Sequence, residues 1–465
     1  MSKKLLTHHV SLSQMTAVYF KKRRVIGLLL GIFISANTFA DPSVDLESQQ
    51  SLNFEQVLAR VDQYQNSSHI FQTQQGIAQA KLKQSQLWQN PSVSIQKTGF
   101  QSDQDQELEL GITQPLDVFG QRQARKKLAQ VELSQVDLNQ KLYQAETMLA
   151  VKYLWSQVLV LQEELKISKT QLADSQANAT ATRLRYRAGS VSQLDLDRAL
   201  VAHIENQRQM QEIELSLNLA KKQLANLWGA SEWDRELSSK AAQLWPSATT
   251  HFVQNALKEN LLEQNIQLQK VKQQAQLDEL KAKSRPNPTV LLGVTNTKSA
   301  NVNNTENQIR LGVEIPLNIF DRQQYGIQIA LAKQDVLNRQ QEYYSQQNRV
   351  QIDTLLFELK GLKWQYDLMN DQQIPLSESV HQKTLLGFKV GKYSITDVHQ
   401  ASIQLQEQRL KKIQTLKQAW QKALQVESLA LGVDSNVLMS PDALMKINQN
   451  LWQSTNELNP VLGAQ

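Results

Sequence analysis

Residues 108–119 read LELGITQPLDVF, and residues 309–320 read IRLGVEIPLNIF. Gly111 aligns with Gly312, Pro115 with Pro316 and Phe119 with Phe320, always 201 positions apart. In the first stretch Leu108, Leu110 and Ile112 alternate with Glu107, Glu109 and Gly111. In the second, Ile309, Leu311, Val313 and Ile315 alternate with Arg310, Gly312 and Glu314. A period of two marks a strand with one apolar and one polar face. Each strand is preceded by an extended segment opened by Asn90-Pro91 or Asn287-Pro288, and the residues between, 101–105 and 298–307, are polar and turn-rich. The chain therefore contains two strand pairs in tandem.

Working outward, the repeat continues on both sides. Residues 54–88 and 252–284, ahead of the strands, are rich in Gln, Leu and Ala and read as helix. Behind them, Arg122 to Arg187 is a run of 66 residues with no Gly or Pro. Its apolar residues, from Leu128 and Val131 through Leu149 and Leu154 to Leu165, keep helical spacing. Such a helix is about 100 Å long. Gly189 ends it, and residues 191–228 form a second uninterrupted run that returns. The second copy has Tyr186-Arg187-Ala188-Gly189 matched by Phe388-Lys389-Val390-Gly391, with Asp195 matching Asp397 and Ala199 matching Ala401. There Pro375 should kink the outgoing helix and Gly361 weaken it. The repeats divide the chain into 41–246 and 247–440, followed by a tail, 441–465.

The 465-residue chain has a pI near 9.1 and a formal charge of +6. Six of its basic residues, Lys3, Lys4, Lys21, Lys22, Arg23 and Arg24, lie in residues 1–40, which hold no acid. Without them 44 basic residues face 44 acidic ones, so the charge points to no nucleic-acid partner. Residues 1–40 read instead as a signal peptide: a basic region, the short apolar stretch 25–34, and Thr38-Phe39-Ala40 before a new start at Asp41. There is no cysteine, hence no disulfide framework, thiolate metal site or N-terminal lipid attachment. Beyond residue 40 no apolar stretch approaches the length of a membrane helix, so any membrane crossing must use strands closed into a barrel. Four strands per chain cannot close; three chains would supply twelve. Helices with narrow apolar stripes likewise need neighbours in a coiled-coil-like wall.

These features together resemble the TolC-like outer-membrane efflux protein family. The residues carrying the resemblance are QPLDVFGQRQAR at 114–125, IPLNIFDRQQYG at 315–326, and the turn motifs YRAGSVSQLDLDRA at 186–199 and FKVGKYSITDVHQA at 388–401. The strand-to-helix phrases look most like the heavy-metal (cobalt-zinc-cadmium) branch. The resemblance implies a mainly α fold with a small β part: long helical hairpins in two repeats, and a homotrimer with a twelve-stranded barrel in the outer membrane of a Gram-negative bacterium. A helical barrel would reach into the periplasm and meet an adaptor protein, which links it to an inner-membrane pump of the resistance-nodulation-division type. The implied role is a passive exit duct for heavy-metal cations, with outer-membrane lipid around it and no cofactor. A drug-efflux or type I secretion duct shares the fold. A periplasmic coiled-coil adaptor would show one hairpin flanked by lipoyl-like halves, and no phosphate loop, nucleophile elbow or metal-ligand spacing marks an enzyme.

Three groups of residues are candidates for that role. Ala188, Gly189, Ser190, Val390, Gly391 and Lys392 form the sharp reversals, and the resemblance makes them adaptor-docking tips. Asp195, Asp397 and Gln400 lie just beyond. A trimer would gather each acid into a ring that attracts cations and whose mutual repulsion would raise its pKa. The competing reading is an acid placed at a helix N-terminus for the local dipole. Tyr393 stands where some relatives carry a gate-locking arginine. Glu107, Glu109, Arg310 and Glu314 are candidates for the barrel lumen. The histidines His69, His203, His251, His381 and His399 show no metal-site spacing. The basic cluster Arg122, Arg125, Lys126 and Lys127 is either a lipid-headgroup contact or a solvated helix start.

Overall fold

The structure, a computed structural model, describes residues 51–65, 67–100, 104–230, 236–237, 244–246, 250–300 and 305–457. The expected signal peptide and the Asp41 start lie outside these. Both repeats begin with paired helices, α1 (Phe54–Gln65) and α2 (Ser67–Ser85) in the first, α5 (Thr250–Lys258) and α6 (Leu261–Lys283) in the second. A two-residue strand β1 (Ser51–Leu52) pairs in parallel with β4 (Glu236–Leu237). The two alternating segments become β3 (Gln106–Pro115) and β6 (Thr305–Glu314), and the extended segments ahead of them become β2 (Ser92–Thr98) and β5 (Thr289–Lys298), all in one antiparallel sheet of order β2-β3-β5-β6.

The Gly- and Pro-free run is a single helix, α3 (Gln121–Arg187), of 67 residues. It folds back on α4 (Gln193–Asn226) through Gly189, whose φ of 70° lies in the left-handed region that glycine enters without a Cβ clash. Gly391 repeats this at φ 83° between α8 (Ile374–Lys389) and α9 (Ile395–Leu431). Upstream, α7 (Gln324–Leu368) passes into a five-residue π turn, Met369–Gln373, directly ahead of Pro375. The Ile374 N–H donates to the Met369 carbonyl. Widening the helix by one residue thus absorbs the disruption caused by a proline that has no N–H and a bulky ring. Gly361 does not interrupt α7, and a Cβ there would meet nothing within 4 Å.

The main core lies at mid-length of α3, away from both sheet and tips. Leu149, Val151, Leu154 and Val158 of α3 pack with Val57 and Val61 of α1, Leu224 of α4, and Leu416 and Leu424 of α9. Trp155 makes edge contacts with Phe54 at 5.8 Å and Trp420 at 5.9 Å. The segment after residue 440 contains α11 (Ala443–Glu457), following the short α10 (Ser435–Leu438). Leu444, Ile447 and Leu451 of α11 are buried in that same core. The linker between the repeats is held there too, by the Trp420 indole N–H donating to the Leu244 carbonyl at 2.9 Å.

Candidate functional site

The sheet register sorts its side chains into two faces. On one, Val93, Ile112, Leu292 and Leu311 form an unbroken row across all four strands, and Ile95, Leu110, Val294 and Ile309 form a second. All eight are exposed, up to 83% for Ile309. The opposite face carries Ser94, Gly111, Gly293 and Arg310 in one row and Gln96, Glu109, Thr295 and Gln308 in the next. Glu107 and Glu306 lie in the following row, and Glu314 opposite Thr289. The lumen candidates Glu107, Glu109, Arg310 and Glu314 are therefore brought onto one polar face. Arg310 Nη1 donates to Glu109 Oε1 at 2.7 Å.

Where strand gives way to helix, aromatic and basic groups gather. The Arg122 guanidinium stands 4.4 Å from the Trp88 ring centroid, and Arg285 lies 5.8 Å from that of Phe119. Asp117 accepts from the Gln121 and Arg122 backbone N–H groups at 2.7 and 2.9 Å, capping α3. Lys127 pairs with Asp278 of α6 at 3.3 Å. The basic cluster is thus partly engaged within the chain.

At the opposite end of α3 the two tips are tied together. Phe388 is fully buried, beneath Arg185 from the other repeat. Tyr393 covers Gly387, where a Cβ would come within 2.2 Å of its ring. Asp195 and Asp397 each close a capping box. Ser192 accepts from the Asp195 N–H and Ser394 from the Asp397 N–H, while each carboxylate takes the N-cap hydroxyl at 2.7 Å. The hydroxyl and backbone hydrogen bonds from Ser192 hold the Asp195 carboxyl below the usual carboxylate range, and those from Ser394 do the same for Asp397. The upward shift expected from ring repulsion is therefore opposed within each chain by capping, which favours the ionised form. Gln400 is exposed one turn further along α9.

Several ionic contacts inside the helical wall have no counterpart in the sequence reading. Glu427 is 3% exposed and accepts from Lys152 at 2.6 Å. Arg409 reaches Glu378 at 2.7 Å and Asp174 at 3.6 Å. His381 is buried beside them, and burial depresses its pKa ahead of the opposing Asp174 and reinforcing Arg409 charges. These pairs join residues from 31 to 275 positions apart, so no local spacing signals them.

The antiparallel strand quartet with its exposed apolar face, set at the end of paired long helices, is a fold that this chain shares with solved outer-membrane proteins. The solved structure of CusC, described with transmembrane channel formation, matches 82% of this chain and 92% of its own at TM-score 0.65 and 16% identity. The outer membrane protein VceC from Vibrio cholerae matches 82% and 96% at TM-score 0.63 and 15% identity. The open-state outer membrane channel MtrE of Neisseria gonorrhoeae matches 82% and 89% at 0.58 and 14%. These likenesses establish the fold. In sequence, residues 72–230 match the family model for outer membrane efflux protein. The cobalt-zinc-cadmium resistance protein CzcC of Cupriavidus metallidurans is 26% identical over 327 residues, covering 68% of this chain and 75% of the relative. Residues 72–230, and the stretch that CzcC matches, are thus similar in sequence to outer membrane efflux proteins.

Proposed function

We propose that this protein is the outer-membrane exit duct of a tripartite efflux pump and that it conducts heavy-metal cations passively. The observation carrying this reading is the pair of continuous exposed apolar rows on the four-stranded sheet. A barrel in lipid needs apolar residues outside and polar ones within, and strands of 7 to 10 residues are near the length that crosses a bilayer. One chain leaves β2 and β6 as edges. Three copies pairing edge to edge close a twelve-stranded barrel, and the exposed apolar residues of α4 and α7, among them Val201, Ile204, Phe357 and Trp364, supply the faces between subunits. The signal peptide at 1–40, the repeats 41–246 and 247–440, and the 441–465 tail fit this reading.

In the assembled trimer the tips at Ala188, Gly189, Ser190 and Val390, Gly391, Lys392 dock the periplasmic adaptor, which connects the duct to an inner-membrane pump of the resistance-nodulation-division type. Asp195, Asp397 and Gln400, next to those tips, line the narrow periplasmic end. The cation substrate is supported by the likeness to CzcC and by the acidic polar face of the sheet. The test is a chromosomal deletion: tolerance of zinc, cobalt, cadmium and nickel should fall while tolerance of large organic drugs is kept. Lost drug tolerance with intact metal tolerance would reverse the substrate assignment and favour a drug-efflux duct.

A further inference from the structure

We infer that His381 is a proton sensor, which holds the tip-proximal part of the α8–α9 hairpin against α3 while neutral and releases it on protonation. The release stands on the wall of one chain, and its effect on conduction rests on the duct reading above. The buried face of α3 changes character along its length. Leu149, Val151, Leu154 and Val158 belong to the apolar core, whereas the buried residues beyond Val160 are Ser168, Gln171, Ser175, Ala179 and Thr182. Spaced by threes and fours, these occupy positions where a coiled coil seats apolar side chains, so this stretch gains little from excluding water. Among the described residues, Gln171 Nε2, Asn178 Oδ1, Arg409 Nη1 and His381 Nε2 are buried without a hydrogen-bond partner. Polar atoms so placed cost free energy, which makes the tip-proximal wall the part that opens most readily.

Arg409 bridges that stretch, reaching from α9 to Glu378 of α8 at 2.7 Å and to Asp174 of α3 at 3.6 Å. His381 lies one turn beyond Glu378 on the same side of α8 and is only 4% exposed. The charged groups about its ring are Asp174 of α3 and Arg409 of α9, with Glu378 of its own helix held on Arg409. The Asp174 and Glu378 side chains are 36% and 41% exposed, so water screens them. Burial of the imidazole, joined by the Arg409 charge, therefore outweighs Asp174 and holds the His381 pKa below the ordinary 6.5. A released hairpin, whose imidazole meets water, binds a proton more readily than the packed one. Packing is thus fully favoured above the ordinary value and weakens as pH falls through the depressed one.

Release stays local because the hairpin is anchored at its other end. The five-residue π turn Met369–Gln373 separates α7 from α8, and Lys412 of α9 donates to Asn370 of that turn at 2.8 Å. Further along α9, Trp420 and Leu424 belong to the main core, and Glu427 accepts from Lys152 of α3. Mid-helix departures from α geometry mark hinges. The segment from the π turn to Gly391, with the start of α9 that packs on it, therefore swings as a unit and leaves the core in place.

Amide exchange of the purified full-length protein, followed by mass spectrometry between about pH 7.5 and about pH 5.5 and corrected for the intrinsic pH dependence of exchange, tests this. Peptides from 171–182 and 376–388 should exchange roughly threefold or more faster at the acid end, while those from 149–160 keep their rate. His381→Gln retains a polar side chain without the titration and should show one corrected rate at both ends; His381→Leu serves if that variant does not fold. Arg409→Gln removes the bridge and should speed both peptides at either pH. Corrected rates that ignore pH in the parent overturn the sensor. So do a response that survives in the His381 variant, parental rates in Arg409→Gln, or equal acceleration in the core. In planar bilayers the parent's conductance should rise over the same interval and that of His381→Gln should not. Channels whose conductance ignores pH overturn the effect on conduction, whereas a parent that forms no channels overturns the duct reading and leaves the exchange result standing.

Discussion

Arg185 of the first repeat sits on Phe388 of the second, with its guanidinium 4.4 Å from the ring centroid and Nη1 donating to the Phe388 carbonyl oxygen at 2.9 Å. The contact also breaks the internal symmetry. The repeat spacing of 202 places Gly387 against Arg185 and Tyr186 against Phe388, so the aromatic ring recurs in the other copy but the arginine does not. One asymmetric clasp thus joins two turns that are otherwise built alike.

Removing that clasp should loosen the tips and little else. Arg185→Ala is expected to cost about 1–2 kcal/mol, the combined scale of a partly desolvated cation–π contact and a charged hydrogen bond. Amide exchange should accelerate around Val390 and Gly391, while the main core at Leu149 to Val158 keeps its protection. Unchanged exchange at the tip would show that the clasp carries no mechanical role.

The capping boxes allow the charge of Asp397 to be separated from its structural part. Ser394→Ala removes the hydroxyl that holds the carboxyl, so the Asp397 pKa should rise toward the ordinary value when followed by carbon-detected NMR. Because the folded-state pKa is depressed, the cap contributes fully above the unfolded pKa and is lost as pH falls through the lower folded one. Asp397→Asn removes the charge and keeps a polar side chain. If the carboxylate ring governs conduction, Asp397→Asn lowers cation preference and Ser394→Ala does so only at acid pH. If both variants conduct as the parent does, Asp397 serves the helix alone.

The Lys152–Glu427 pair is expected to be harsh to break and easy to replace. Glu427→Ala leaves an ammonium facing a cavity in the wall, with an expected loss of about 3–5 kcal/mol. The double substitution Lys152→Met with Glu427→Leu should recover most of it, because burying two charges already costs much of what their attraction returns. Thermal unfolding of detergent-solubilised protein distinguishes these outcomes. Equal destabilisation by the single and double variants would contradict this account.

Glu146 provides a pH signature for the mid-length core. Burial, and then the Asp434 charge, push its pKa up to about 7 from the ordinary 4.5. Between those two values the folded chain binds more protons at this site than the unfolded chain does, so stability falls as pH rises through that window. The change is on the order of 2 kcal/mol per chain. Glu146→Gln should flatten the dependence and exceed the parent in stability at pH 8. A parent whose unfolding midpoint does not decline from pH 5 to pH 8 would rule out this role for Glu146.

Much of the architecture was legible because it is written in short periods and a long repeat. Alternation by twos at residues 107–112 and 309–315 marked the second strand of each pair, freedom from Gly and Pro between residues 122 and 187 marked the helix, and the matched glycines at 189 and 391 marked the turns. All are local backbone preferences, which one stretch of chain expresses without knowing its partners. The proline at 375 was legible as a disturbance, but its resolution as a π turn was not, since the helix could as readily have kinked.

By itself, then, the sequence determined the repeat, the order of elements and the two faces of β3 and β6. Only the tertiary structure decided that Arg310 crosses Gly293 to meet Glu109, that Arg185 covers Phe388, that Glu427 is neutralised by Lys152, and that the helix after residue 440 completes the core. Each depends on which strands and helices become neighbours and how far a side chain must reach. Such contacts arise between residues scores or hundreds of positions apart, so no local pattern encodes them; strand register, helix crossing and the space left by a glycine do.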